Sequence, residues 1–96
     1  MPTTFLSRFK VKPDKDEEFL DLIADMEANA EREPDTLAYK FYRLDEPHAF
    51  AVFESFTNED ADLAHQQNPE NAPVIEKMVE CIDGTYKREY LLDVKS

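Results

Sequence analysis

Ala49–Phe56 reads AFAVFESF, and the fold follows from how this stretch is taken. As a strand it puts Phe50, Val52 and Phe56 on one face and Ala49, Ala51 and Phe53 on the other, since successive side chains alternate. Both faces are apolar, the pattern of a central strand covered on both sides. Working outward, residues 44–48 (LDEPH) form a polar turn. Before it, Thr36–Arg43 (TLAYKFYR) sets Leu37, Tyr39 and Phe41 against Ala38, Lys40 and Tyr42 as a second strand. Thr3–Val11 (TTFLSRFKV) alternates in the same way, with Phe5, Ser7, Phe9 and Val11 opposite Leu6, Arg8 and Lys10.

Between these strands the period changes. Pro13 and Asp14 open a helix in which Asp14 and Glu17 have capping-box spacing and Asp16 to Glu18 suit the positive end of the dipole. Its apolar positions Phe19, Leu22, Ile23, Met26 and Ala30 make one stripe, and it ends before Pro34. After the central strand, Thr57 or Asn58 caps a short helix, NEDADLAHQQ, closed by Asn68 and Pro69. Asn71 starts a third helix with the stripe Val74, Ile75, Met78, Val79 and Ile82, and Gly84 takes its left-handed C-terminal cap. Residues 85–92 (TYKREYLL) read as the last strand.

The order β-α-β-β-α-α-β with short links predicts one α+β domain over residues 1–96. It is a four-stranded antiparallel sheet carrying its helices on one face. Nothing in the chain is left to cover Ala51 and Phe53 on the second face, so a homodimer joined sheet to sheet is expected.

Composition bounds the partners. The chain has 96 residues, 11 Lys plus Arg against 22 Asp plus Glu, and a formal charge of -11. Such a chain repels phosphate backbones and anionic membranes, which excludes nucleic acid and membrane surfaces as partners. Ten of the 22 acids lie between Asp14 and Asp35, so the excess sits mainly on the outside of the first helix. A single glycine rules out phosphate-cradling glycine loops. A single cysteine, Cys81, rules out an internal disulfide and any thiolate cluster. The two histidines, His48 and His65, have no metal-ligand spacing. With no secretion signal or apolar span in view, a cytoplasmic protein is expected.

The local wording points further. Phe9 to Pro13 leads into Lys15, Glu17, Glu18, Phe19 and Leu20; Glu33 and Pro34 precede Leu37 and Tyr39; Phe53, Glu54 and Phe56 are followed by Ala64 and by His65, eleven residues after Glu54; Asn68 and Pro69 close the stretch. In this order and spacing the chain resembles the antibiotic biosynthesis monooxygenase family of dimeric α/β-barrel proteins. The resemblance implies a ferredoxin-like fold, dimerisation through the sheets, a pocket between sheet and helices, and oxygenation of phenols, anthrones or quinols without metal, flavin or other cofactor. Some relatives instead isomerise small metabolites. The chain departs from the family pattern at Asp35 and Thr36, where Gly and often Cys follow the Glu-Pro pair. It departs again at Phe56, where Trp or Tyr is common, and at Glu70, where a second His often stands. With Ser7 near the place of a haem-degrading Asn and no Trp in the chain, haem degradation is disfavoured.

Oxygenation without a cofactor needs the substrate as an electron-rich anion, because triplet oxygen reacts slowly with closed-shell molecules. Removing a proton is then the protein's task, and His65 is the candidate base, since an imidazole titrates near neutral pH. The plainer reading of His65 is helix packing or capping. Ser7, Tyr39, Phe41, Phe53 and Phe56 are the candidate substrate-binding residues, although strand aromatics at period two are ordinarily core. Arg8 or Arg88 is a candidate for steadying an anion, and His48 is expected to be exposed. Two functions from different classes follow: a small monooxygenase using O2 on an aromatic hydroxyl compound, or a non-oxygenase protein that binds or isomerises a small metabolite.

Overall fold

A computed structural model describes residues 1–95. The chain runs β1 (Thr3–Val11), a 3-10 turn (Pro13–Lys15), α1 (Asp16–Glu31), β2 (Thr36–Arg43), β3 (Ala49–Phe56), α2 (Glu59–Gln67), α3 (Ala72–Cys81), β4 (Ile82–Asp83) and β5 (Arg88–Tyr90). The strands form one antiparallel sheet in the order β2-β3-β1-β4, with β5 also pairing β1. The fold is therefore the expected ferredoxin-like α+β arrangement, with the three helices over one face.

Cross-strand register lines up the inner face in rows. Tyr39 pairs with Glu54, Glu54 with Phe5, and Phe5 with Tyr90; one row along, Phe41, Val52, Ser7 and Arg88 follow each other across the sheet. Phe9, Val11, Phe50 and Val52 meet Phe19, Leu22 and Met26 of α1 and Met78 and Cys81 of α3 in one core. Phe19 sits 5.5 Å from Phe9 and 5.3 Å from Phe50 by ring centroids. Burying each such side chain contributes roughly 1.5–3 kcal/mol, more than any local helix or strand preference in the chain. This layer therefore decides the fold.

Several expectations need correction. The last strand is two short pieces, both on the free edge of β1. From Lys10↔Asp83 to Ser7↔Arg88, β1 advances three residues while the opposite chain advances five. Two extra residues are thus carried outside the ladder. Gly84 has the left-handed φ of 90°, but in this break; the C-cap of α3 is Ile82, in an extended conformation. No capping box forms at Asp14 and Glu17: the 3-10 turn comes first, and α1 starts without a side-chain cap. Leu37 is 57% exposed, because a register shift between Thr36 and Ala38 turns it out of the row of Tyr39 and Phe41. Val79, assigned to the buried stripe of the third helix, is 48% exposed. His48 is half-buried, with its Nδ1 2.8 Å from Asp16 Oδ2, and its φ of 64° is that of the tight turn into β3.

On the second face, Ala49 and Ala51 are already buried within the chain, because small side chains sink between long neighbours such as Arg8 and Tyr42, which stand either side of Ala51. Phe53 is half-buried there, opposite Leu6 and Lys40. Among the described residues no helix is long and apolar enough to cross a membrane.

Candidate functional site

Between the inner face of the sheet and the helices lies a cavity of about 140 Å³. Its walls are aromatic and aliphatic, from Phe9, Phe19, Phe41, Ile75 and Met78, with Tyr86 at the break in the last strand. Polar groups line it as well, those of Ser7, Glu54, His65, Gln66 and Arg88, with the phenols of Tyr39 and Tyr86 beside them.

His65 is carried by α2, which the sequence fixes at its start through Asn58, whose Oδ1 accepts from the Ala61 backbone N–H at 2.9 Å. The imidazole is 4% exposed and its ring lies 5.0 Å from Tyr39 and 5.2 Å from Phe56. Nδ1 is 2.8 Å from Glu33 Oε1. Burial works to raise the Glu33 pKa, but hydrogen bonds from His65, Thr36 and Asn71 outweigh it and hold the carboxyl below its ordinary range. An ionised carboxylate only accepts, so Nδ1 carries a proton, and Nε2 is the nitrogen that offers a lone pair in the neutral ring. Among the described residues Nε2 has no hydrogen-bond partner.

Glu33 is itself fixed. Thr36 Oγ1 donates to Oε1 at 2.8 Å, and Asn71 Nδ2 and Asn68 Nδ2 donate to Oε2 at 2.6 and 3.3 Å. Asn71 is wholly buried; it also donates to the His65 backbone carbonyl at 3.0 Å and accepts from Asn29 Nδ2 at 3.1 Å. Thus the Asn that begins α3 spends its side chain on the His65 support instead of on capping its own helix.

At the other wall, Arg88 is clamped by Asp62, with Nη1 2.6 Å from Oδ2 and Nη2 3.2 Å from Oδ1, and its guanidinium lies 3.9 Å from the Phe5 ring centre. Burial disfavours its charge, but the hydrogen bonds to Asp62 and Tyr90 and the nearby carboxylates hold it firmly protonated. Glu54 stands in a different state. Burial drives its pKa up, Arg88 opposes and Asp62 reinforces the rise, and the carboxyl reaches about 7. Burial, then the charges of Glu54, Glu27 and Glu33, pushes the Tyr39 phenol well up, so it stays a neutral donor.

Of the residues singled out by sequence, His65, Ser7, Tyr39 and Phe41 come together around the cavity. Phe56 is fully buried behind it, stacked on Phe5 at 6.1 Å and packed on His65. Phe53 is on the opposite face of the sheet, as its parity with Ala51 dictates. Arg88 lines the cavity; Arg8 is on the outer face with Glu89 3.6 Å away. Glu54 and Glu33 were missed as site residues. A signal for Glu54 was present: it is the one acidic residue on the otherwise apolar inner face of β3. Glu33 stood out only as part of the Glu33–Pro34 pair in the family wording, and nothing there linked it to a histidine 32 residues away. Cys81 is buried, its Sγ 3.6 Å from Glu18 Oε2, and burial pushes its thiol up and away from reactivity. Among the described residues no cluster of three or more His, Cys, Asp or Glu is arranged to hold a metal.

Comparison with solved structures places this fold in known company. Rv0793 from Mycobacterium tuberculosis superposes with a TM-score of 0.87 at 18% identity, over 98% of this chain and 96% of that one. A candidate antibiotic biosynthesis monooxygenase from Caulobacter crescentus gives 0.87 at 26% identity, over 97% and 90%. PA3566 from Pseudomonas aeruginosa gives 0.83 at 18% identity, over 97% and 94%. No curated protein matches the chain in sequence. The family model described as antibiotic biosynthesis monooxygenase matches residues 3–76, which takes in Ser7, Glu33, Glu54 and His65 and stops short of Arg88. A match running from the first strand into the third helix makes this chain a member of the antibiotic biosynthesis monooxygenase family.

Proposed function

We propose that the protein is a cofactor-independent monooxygenase of small hydroxyaromatic compounds, in which His65 Nε2 removes the phenolic proton and the resulting anion reacts with O2. The observation that carries this reading is the imidazole itself. It is buried among aromatic rings, its Nδ1–H is given to an ionised Glu33, and its Nε2 is left without a partner at the cavity. A base so held meets the geometric requirement for general-base catalysis. Ser7 and Tyr39 supply hydroxyl donors for the oxygen that becomes negative.

Size narrows the substrate. An enclosed apolar cavity of about 150 Å³ is known to accept one benzene ring, so a cavity of about 140 Å³ suits a single-ring phenol or hydroquinone better than a tricyclic anthrone. Metal-depleted protein given a panel of substituted hydroquinones in an oxygen electrode is expected to take up one O2 per ring oxygenated. Ligand-dependent thermal stabilisation with no oxygen uptake across the panel would replace this reading by that of a metabolite-binding or isomerising protein.

The working unit we propose is a cytoplasmic homodimer of one-domain subunits, joined through the open sheet face. Support comes from what remains uncovered there and along its edge: Tyr42 is 48% exposed, Leu44 39% and Leu91 47%. Light scattering at micromolar concentration is expected to give twice the chain mass; a monomer mass refutes the pairing.

A further inference from the structure

Resting on the oxygenase reading, we infer that Glu54 is a second proton carrier of the cavity, giving a proton to the peroxide formed on the substrate and then taking one from the oxygenated carbon.

Two placements lead there. First, Glu54 lines the same cavity as His65 although eleven positions away in sequence. Its cross-strand neighbour Tyr39 and its same-face neighbour Phe56 are the two rings that flank the imidazole, at 5.0 and 5.2 Å. Second, the imidazole and the guanidinium that line the cavity are already committed. His65 is held by Glu33 and Arg88 by Asp62, whereas the Glu54 carboxyl lines the same space and makes no hydrogen bond among the described residues. The groups facing it are Tyr39 from β2, Arg88 from β5, Asp62 and His65 from α2, and the uncharged Phe5 and Ser7 from β1.

The reaction needs such a group, because monooxygenation moves two protons twice. His65 Nε2 first takes the phenolic proton. The phenolate gives one electron to O2, and the radical pair joins to form a C–O bond, leaving a peroxide anion on a ring carbon that still carries hydrogen. Glu54 in its acid form protonates the outer peroxide oxygen. Its carboxylate then removes the hydrogen from that carbon, whose electron pair becomes C=O as the O–O bond breaks. The departing hydroxide takes the proton held by His65. Substrate loses two hydrogens and gains one oxygen, O2 supplies that oxygen and the oxygen of one water, and both side chains end as they began. With its pKa at about 7, Glu54 is available in both forms near neutrality.

The test compares wild type, Glu54→Gln and Glu54→Asp with methylhydroquinone as probe, following oxygen uptake, hydrogen peroxide release and pH dependence, with folding checked by thermal midpoint. Wild type is expected to form the hydroxylated quinone without free peroxide and to lose kcat as pH rises above about 7. Glu54→Gln should lose about 100-fold in kcat with KM little changed, release its consumed oxygen as hydrogen peroxide, and lose that alkaline limb. Glu54→Asp, which keeps a carboxyl, should recover part of the rate and the limb. Active wild type with an equally active Gln variant of unchanged pH profile overturns the role of Glu54 alone, as does an Asp variant lacking the limb. Wild type that takes up no oxygen overturns the oxygenase reading and this assignment with it.

Discussion

Replacing His65 by alanine is expected to lower kcat for oxygen uptake by about 10²- to 10⁴-fold, the usual contribution of a positioned general base. The loss should fall on kcat rather than KM, because the aromatic walls that hold the ring are untouched. The side chain is buried and bonded to Glu33, so a folding defect has to be told apart from a chemical one. Added imidazole provides the distinction: it is small enough to enter the space vacated and should restore part of the rate of a folded variant in proportion to its concentration. Turnover by His65→Ala equal to that of wild type removes the imidazole from the mechanism.

Glu33→Ala is expected to be the more damaging change to stability, by about 2–4 kcal/mol, although the side chain lies at the exit of α1 and is not a member of the hydrophobic core. Four side chains donate to this carboxylate, those of Thr36, His65, Asn68 and Asn71. Leaving a buried donor without a partner costs roughly 1–3 kcal/mol, and Asn71 is wholly buried. The pH dependence has a definite sign. Glu33 has its pKa lowered in the folded chain from 4.5, so its contribution is fully present above that unfolded value and fades as pH falls through the lower folded one. The stability gap between wild type and Glu33→Ala, read from urea midpoints, should therefore hold from neutrality down to about pH 4.5 and narrow in stronger acid. A gap that stays constant at still lower pH contradicts the assignment of Glu33 as an ionised acceptor.

What could be read from the residues alone follows from the range of the forces involved. Phe19, Leu22, Met26 and Ala30 repeat at the helix period and all four are buried; AFAVFESF has both faces apolar and is a central strand. Such signals are local and repeated, so they survive without a structure. The break between β4 and β5 depends on which residues of a distant strand lie opposite, and TYKREYLL alternates well enough to hide it. At the site, His65 was legible because imidazole is the side chain suited to moving a proton near neutrality. Phe53 could have been set aside by the same parity that grouped it with Ala51. The support of His65 could not be read at all, since Glu33 and Asn71 come to it from two other parts of the chain and neither lies in a pattern that repeats. Glu54 falls between: its position on an apolar face was visible, but the consequence of that position for its proton depends first on how deeply the fold buries it and then on Arg88 and Asp62, thirty-four and eight residues away.

The interrupted edge of the sheet separates two jobs that one continuous strand would have to do together. β4 and β5 each keep their pairing with β1, while the segment between them carries Tyr86 to the rim of the cavity without a ladder partner of its own. Changes of length or residue in that segment are expected to leave both pairings, and hence the frame around His65 and Glu54, where they are, because the segment is part of neither. On the oxygenase reading proposed above, the entrance is free to fit a differently substituted ring while the residues proposed to move protons stay in place, which would let so small a fold diversify what it admits without rebuilding how it reacts.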